Sequence, residues 1–293
     1  MAFGPHLLLA ILEGLVTAAV LSLTALGLSL VFGVMRIVNV AHGEFFMLGA
    51  VLAWAVANAL GGHPALGFVA ALVIAPLVVG AVAWLAERLV LSRLNYNPES
   101  TIVATIGLLY IIQQLALTFY GPEARPVAPP FNVRLSLPWF GYSAYKLSII
   151  ATAALLLIAT WLVLTRTKIG LTMRATQYDS ETAQAFGIPV GRVYAGVFAL
   201  GAMLAALAAV LIVPISQAHY LMGQDPLLLS FIVVIIGGLG SLRGTVVAAV
   251  LIGVSDGVVS MFFSPTLAKM IATLAVALVL VFRPQGLFGT AAR

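Results

Sequence analysis

Cysteine is absent from the 293-residue sequence, and charged residues are scarce. The absence of cysteine excludes a disulfide framework and any metal site built on thiolates. Only 8% of the residues are charged, against roughly a quarter in ordinary soluble domains. Such a chain cannot cover its surface with charge, so the composition disfavours soluble enzymes, nucleic-acid-binding proteins and secreted modules.

Recognisable catalytic and nucleotide-binding motifs are also missing. The segment His42–Glu44 lacks the spacing of a zinc-binding HExxH helix. The segment Gly240–Leu242 lacks the glycine that would follow a nucleophilic serine. No Walker lysine follows a glycine cluster, so we expect that this chain does not itself bind and hydrolyse ATP. We therefore expect no catalytic residue, no metal ion and no cofactor in this chain.

Apolar residues make up 62% of the chain, and a spanning helix needs about 20 of them. This content predicts an all-α, polytopic membrane protein with eight or nine spanning helices in one domain, 1–293. The N-terminal run has no preceding Lys or Arg and contains Glu13, so we expect a true span rather than a signal peptide. The apolar runs cover about residues 6–34, 45–60, 65–91, 101–120, 147–164, 193–215, 227–236, 245–263 and 267–282.

Basic residues predict the orientation of the chain, which carries a net charge of +5. They follow the first, third and fifth runs and are absent near residues 61 and 220, which places the N-terminus outside and segment 166–192 in the cytoplasm. Arg125 and Arg134 in the loop 121–145, and Lys146 directly after it, argue mildly against this orientation. The number of crossings and the side of the C-terminus stay open.

Two glycine-interrupted segments occur in the two halves of the chain. Residues Leu28–Gly43 align without gaps to Leu229–Gly244. Paired interruptions are typical of the broken helices and inverted repeats of transporters, although ordinary small-residue loops between spans would look the same. The predicted helix-break glycines are Gly43, Gly237, Gly238, Gly240 and Gly244.

Polar residues inside apolar runs are candidates for a translocation path, because ionisable groups rarely face lipid. The candidates are Asn39, His42, Glu44, Gln113 and Gln114. Glu13 lies near an outer edge, Asp256 and Lys269 near span ends, and Glu87 with Arg88 at an interface. The alternative for each is a hydrogen bond to a neighbouring helix.

The polar stretch between Arg166 and Arg192 contains two short helix candidates. One covers Glu181–Gly187, with Asp179 or Ser180 as its N-cap and Gly187 as its stop. The other covers Leu171–Gln177 and includes Arg174. Such helices bury little alone, which suggests docking against another protein; a solvated loop is the alternative.

Within this stretch, Glu181, Ala183 and Gly187 form an E-x-A-x-x-x-G pattern that resembles the coupling loop of ABC importer permeases. Thr182 stands where a second alanine is usual. The residues around it are similar to the branched-chain amino acid permeases of the high-affinity Leu/Ile/Val systems. Segments Gly27–Ala50 and Asp225–Gly253 resemble the LivH-type subunit of that family.

The resemblance implies the broken-helix, inverted-repeat fold shared with ribose and vitamin B12 importer permeases. It also implies a permease in the bacterial inner membrane that carries Leu, Ile or Val. Its expected partners are a LivM-like second permease, two cytoplasmic ATPases that bind ATP and Mg²⁺, and a periplasmic substrate-binding protein. The expected coupling residues are Arg174, Asp179, Glu181, Ala183 and Gly187. Two alternatives remain: the same fold with urea, amides or other amino acids as cargo, and an ion-coupled secondary transporter or channel.

Overall fold

Helices form almost all of the regular structure in the computed structural model, which describes residues 3–61, 63–283 and 285–289. The predicted all-α class is therefore confirmed. The helices are α1 (Phe3–Met35), α2 (His42–Ala59), α3 (Pro64–Leu89), α4 (Pro98–Tyr120), α5 (Ala144–Arg166), α6 (Lys168–Tyr178), α7 (Ser180–Ala185), α8 (Val190–Ser216), α9 (Gln224–Gly237), α10 (Leu242–Phe262) and α11 (Pro265–Phe282). A short 3-10 helix, Leu91–Leu94, follows α3.

A small antiparallel hairpin was not predicted from the sequence. Its strands are β1 (Arg134–Ser136) and β2 (Gly141–Ser143), and they pair in the loop between α4 and α5. Three-residue strands are too short to show an alternating hydrophobic pattern, so no sequence signal marked them.

Seven helices in the described part of the chain are long and apolar enough to cross a membrane: α1, α3, α4, α5, α8, α10 and α11. Two more apolar helices, α2 and α9, have 18 and 14 residues. At 1.5 Å per residue, α9 is about 21 Å long, less than the ~30 Å hydrocarbon core of a bilayer. The chain is thus a multi-pass membrane protein that contains both full-length and short helices.

Helices α1 and α8 form the centre of the bundle. In the most apolar 18-residue stretch of each helix, 78% of α1 and 67% of α8 is buried, whereas only 17% of α4 and 11% of α11 is buried. The two central helices are antiparallel, since Gly27 touches Gly201 while Val20 and Ile212 line one cavity. Alanine and glycine at the contacts let the backbones approach closely, as is common between helices in membranes.

The packing of the helices repeats between the two halves of the chain. Helix α1 packs mainly on α10 and α8, and α8 packs in the same way on α3 and α1. Helix α2 contacts α3 and α8, and α9 correspondingly contacts α10 and α1. This pattern pairs α1–α4 with α8–α11, and the antiparallel direction of α1 and α8 makes the repeat inverted. The inverted repeat was predicted.

The alignment of segments 28–43 and 229–244, however, has the wrong register. In the structure, the break after α1 (residues 36–41) corresponds to the break after α8 (residues 217–223). The glycine-rich turn 238–241 joins α9 to α10 and corresponds instead to the turn between α2 and α3. Glycine content identified the turns in the sequence. The repeat, however, is defined by which helices pack against each other in each half, and a single sequence does not show those contacts.

Candidate functional site

Two short helices, α6 and α7, form a polar segment at the end of the bundle where α1 ends and α8 begins. We call this the second end, and the opposite end, where α1 begins and α8 ends, the first end. The sequence predicted both helices in the stretch 166–192, and both are present. Helix α6 is longer than expected, because the Thr167 hydroxyl caps its start by accepting a hydrogen bond from Gly170 N at 3.2 Å.

Asp179 caps helix α7, as predicted. Its Oδ1 accepts hydrogen bonds from Glu181 N and Thr182 N, both at 3.0 Å. The Thr182 hydroxyl donates to the other carboxylate oxygen at 2.5 Å. These bonds, first the one from the Thr182 side chain, hold the pKa of Asp179 below its ordinary value. Gly187 has a φ of +83°, so it supplies the left-handed stop that glycine favours.

The predicted residues of this segment differ in exposure. Ala183 is buried against the bundle, whereas Arg174, Asp179, Glu181 and Gly187 are exposed. Tyr178 and Phe186 were not among the predicted residues, and they are 90% and 84% exposed. Large aromatic side chains next to an exposed polar helix are typical of a surface that binds a protein.

Contacts between the segment and the bundle hold α6 in place. A Cβ on Gly170 would lie 2.5 Å from Leu164 Cα, so only glycine fits at this turn after α5. Gln177 approaches Gly33 near the end of α1, and α7 also touches α8. The segment therefore touches both central helices, so its displacement would act on both of them.

A polar cavity separates α7 from the end of α3 and the start of α8. It has a volume of about 870 Å³ and includes Arg88, Tyr96 and Glu181 in its lining. Tyr96 donates a hydrogen bond of 2.6 Å to Glu87, which is fully buried. Its ring also meets Tyr194 of α8 edge to face, with centroids 4.6 Å apart. Glu87 was expected at an interface, and the structure shows that its partner is Tyr96.

In the interior of the bundle, helices α2 and α9 begin beside each other. Gly43 and Gly223 are in backbone contact, and a Cβ on Gly43 would lie 2.9 Å from Leu227 Cβ. We call this contact the α2–α9 junction. Each helix follows the break after one central helix, so the two inverted halves meet here.

The predicted glycines take different places around these breaks. Gly43 and Gly244 lie in the first turns of α2 and α10, and Gly237 is the last residue of α9. Gly238 and Gly240 lie in the turn between α9 and α10, with φ angles of +102° and +78°. The residue that leaves α1 is Arg36, which has a φ of +56°. Gly238 and Gly240 therefore use the backbone freedom of glycine. At Gly43, Gly237 and Gly244, the backbone of another segment lies too close for a Cβ.

Three predicted path residues lie together at the start of α2. Asn39 Oδ1 accepts a hydrogen bond of 3.1 Å from Ala41 N, which stabilises the break. His42 Nε2 lies 2.8 Å from the carbonyl oxygen of Thr24 in α1. Glu44 is 2% exposed. Among the described residues, its Oε2 and His42 Nδ1 have no hydrogen-bond partner, so this buried cluster retains polar atoms able to bind.

The other two predicted path residues lie elsewhere. Gln113 is half-buried and Gln114 is exposed on α4. The contact between α4 and the break passes through Thr105, whose hydroxyl accepts a hydrogen bond of 3.2 Å from Val40 N. Gln113 is about two turns further along the helix. The structure therefore does not bring the glutamines to the cluster at α2.

A cavity of about 440 Å³ extends from the loop after α8 towards the α2–α9 junction. Val20 of α1 and Phe46 of α2 contribute its apolar wall, and Asp225 lies among the polar groups near the loop. Asp225 accepts a salt bridge of 2.7 Å from Lys269 of α11. This cavity was not predicted, because its wall comes from four helices and a loop that are distant in sequence.

Glu13, which was expected near an outer edge, forms an ion pair with Lys146. Glu13 of α1 accepts hydrogen bonds from Lys146 of α5 at 2.6 and 2.7 Å. This pair joins the two helices at the first end. Asp256, expected at a span end, lies in the last third of α10.

Comparisons with known proteins agree over almost the whole chain. The family model described as "Branched-chain amino acid transport system / permease component" matches residues 10–281. The chain is 26% identical to the high-affinity branched-chain amino acid transport system permease protein BraD of Pseudomonas aeruginosa, covering 97% of this chain and 96% of BraD. It is 27% identical to the corresponding LivH of Escherichia coli K12, covering 94% of each.

A further relative and a solved structure extend the comparison. The chain is 26% identical to a probable branched-chain amino acid transport permease protein LivH of Methanocaldococcus jannaschii, covering 95% of this chain and 92% of that protein. It is similar in fold to a chain of PsaBC from Streptococcus pneumoniae in complex with Fab, with a TM-score of 0.51, 12% identity, and coverage of 94% and 92%. On the family match, the chain belongs to the permease components of branched-chain amino acid transport systems.

Proposed function

We propose that this chain is a membrane-spanning subunit of an ATP-driven importer that carries Leu, Ile or Val across a bacterial inner membrane. The observation that carries the proposal is the family match over residues 10–281. The exposed α6–α7 segment supports it, because a permease without a nucleotide-binding motif needs a surface that receives an external ATPase. In this proposal the second end is cytoplasmic and the first end is periplasmic, consistent with the basic residues that follow α1, α3 and α5.

The proposed coupling surface consists of Glu181 and Gly187 with the exposed aromatic side chains Tyr178 and Phe186. An ATPase would bind this surface in the helix-in-groove manner. Nucleotide-driven closure of the two ATPases would displace α6 and α7, and their contacts with α1 and α8 would transmit the movement. Access would change through rigid-body switching between two arrangements of the bundle. This division of labour assigns ATP and Mg²⁺ to the partner subunits.

The proposed path runs from the cavity at the first end towards the α2–α9 junction. Its volume of about 440 Å³ is within the ~300–1,000 Å³ typical of small-molecule sites. The apolar wall at Val20 and Phe46 suits an aliphatic side chain, and the junction at Gly43 closes the inner side. Asn39, His42 and Glu44 would supply polar contacts when the junction opens. A periplasmic binding protein would deliver the amino acid, and a LivM-like permease would complete the path.

The test is leucine uptake into proteoliposomes that contain this chain, the second permease, both ATPases and the binding protein. We expect Glu181→Ala with Gly187→Ala to reduce leucine uptake per ATP hydrolysed at least about tenfold, since an interface hot spot contributes 2 kcal/mol or more. Insertion should stay unchanged, and the strain of alanine at the φ of +83° should affect only the exposed end of α7. Gly191→Ala controls for an added methyl group at an exposed glycine, because a Cβ at Gly191, as at Gly187, meets nothing within 4 Å.

Two outcomes would contradict the proposal. Normal coupled uptake by the double variant would exclude the α6–α7 segment as the coupling surface. Undiminished leucine uptake without the ATPases or the binding protein would show a secondary transporter instead.

A further inference from the structure

A third cavity opens between α1, α5 and α10, on a different side of α1 from the proposed path. It has a volume of about 380 Å³. Leu26 of α1, Leu157 and Leu164 of α5, and Val246 of α10 line it, and its rim carries Trp161 and Arg243. Apart from Arg243, every lining side chain is aliphatic or aromatic. This crevice lies inside the membrane-spanning part of the bundle, where the surrounding solvent is lipid.

The crevice has one polar end, and that end lies at the second end of the bundle. Arg243 is the second residue of α10, beside the turn that touches Gly33 near the end of α1. Trp161 lies five residues before the end of α5 and is 49% exposed. Leu26 lies nine residues before the end of α1, so the crevice extends roughly 14 Å into the membrane. These dimensions fit the upper part of an acyl chain below a headgroup.

The charge at the polar end is unbalanced. Arg243 is exposed and makes no ion pair within residues 3–61, 63–283 and 285–289. Arg166 and Lys168, at the end of the same α5 that lines the crevice, are also exposed. Arg174 approaches this end too, with its guanidinium 3.5 Å from the carbonyl oxygen of Thr165. A cation above an apolar crevice, with a tryptophan at the interface, matches the way basic pockets between spanning helices bind anionic lipids.

We propose that this crevice is a binding site for an anionic phospholipid, with the phosphate on Arg243 and one acyl chain against Leu26, Leu157 and Val246. A zwitterionic lipid would fill the same apolar space, but its own cation would compete for the phosphate. The site would therefore select the headgroup by charge and the chain by shape. This inference does not depend on which solute the protein transports.

Trp161 provides a direct measurement of occupancy. The full chain is reconstituted in phosphatidylcholine nanodiscs that contain a small fraction of lipid with brominated acyl chains, either phosphatidylglycerol or phosphatidylcholine. Quenching at Trp161 is the difference in quenching between the wild type and Trp161→Phe, which leaves the other tryptophans in place. We expect brominated phosphatidylglycerol to bind about fivefold more tightly than brominated phosphatidylcholine, as one basic residue near the membrane surface would give.

The variants identify the headgroup contact. Arg243→Gln should remove the preference for phosphatidylglycerol, and Arg243→Lys should retain most of it because the charge remains. Arg93→Gln is the matched control, since Arg93 is also exposed at the second end but belongs to the 3-10 helix after α3, so the preference should persist. Val247→Phe, which adds bulk to the crevice wall, should reduce quenching by both lipids.

Equal quenching of Trp161 by the two lipids would overturn the proposal. A preference that survives in Arg243→Gln, or that is lost equally in Arg93→Gln, would also overturn it, because the selectivity would then come from the general basic charge of this end. If Arg243→Gln does not fold, the comparison of the wild type with Val247→Phe still decides whether the lipid chain occupies the crevice.

Discussion

Where α2 meets α9, backbone packs against backbone, whereas in the α6–α7 segment large aromatic side chains are exposed. Gly43 and Gly223 leave no space for a Cβ at the junction, and the polar atoms of His42 and Glu44 around it are buried. In the α6–α7 segment, Tyr178 and Phe186 are almost fully exposed. The junction is therefore completed by contacts within this chain, whereas the segment exposes the aromatic surface to which we propose that a second protein binds.

The largest effect should come from adding bulk at the junction. Gly43→Val would place a branched side chain against the Gly223 backbone and Leu227. Overpacking typically costs about 1–3 kcal/mol, and here backbone on both sides leaves little room for relaxation. We expect loss of the folded protein, measured as loss of the monodisperse peak in size-exclusion chromatography and as a lower melting temperature in thermal unfolding.

The control for this variant is Gly107→Val in α4, where a Cβ would meet nothing within 4 Å. It should express and melt like the wild type. If both variants behave alike, close packing at the junction is not what stabilises this region.

An intermediate effect should come from the exposed aromatic side chains. Phe186→Ala should leave the melting temperature of the isolated chain unchanged, since the ring is 84% exposed. Binding of the partner ATPase should weaken at least about tenfold if the ring is an interface hot spot, measured by co-purification and titration. Phe119→Ala is the matched control, because Phe119 is 85% exposed on α4, near the first end. If both variants weaken ATPase binding equally, Phe186 does not belong to a specific binding surface, and the α6–α7 segment does not differ in this respect from the exposed surface of α4.

The smallest effect concerns the cap of α7 and its dependence on pH. The pKa of Asp179 is lowered by its hydrogen bonds from Thr182 and Glu181, so the charged cap stabilises α7 at neutral pH. That contribution is lost as pH falls through the lowered pKa, below the ordinary range of aspartate. Hydrogen exchange at Glu181 N and Thr182 N should therefore accelerate several-fold only in acid, after correction for the intrinsic exchange rate.

Two variants check this assignment. Asp179→Ala should expose both amides at every pH, and Asp179→Asn should retain the cap without the acid transition, since asparagine caps equally well. An acid transition that persists in Asp179→Asn would assign the effect to another group.

The sequence predicted the segments better than their arrangement. The N-cap Asp179 and the stop at Gly187 are local signals, because each acts on backbone groups within four residues. The positions of α6 and α7 were therefore predictable. Their exposed aromatics were not selected, since an isolated Tyr178 or Phe186 looks the same in sequence whether it is buried or exposed.

For the candidate path, the sequence identified individual polar residues but not the cavity beside them. His42 and Glu44 were found from their polarity, but the cavity that reaches Phe46 was missed because its lining comes from distant parts of the chain. The glutamines of α4 were selected by the same polarity rule, and the structure places them apart from the cluster. Polarity within an apolar run indicates a constraint, but it does not tell which helices meet there.

By itself, the sequence determined that this protein lies in the membrane, that it is helical, and that a notable share of its few charged residues lies between Arg166 and Arg192. Hydrophobicity, helix length and capping are properties of neighbouring residues, so they can be read along the chain. Only the tertiary structure decided that the break after α1 corresponds to the break after α8, and that Gly43 meets Gly223. Those contacts join residues far apart in sequence, and close packing of helices selects among many glycines that look alike in the linear chain.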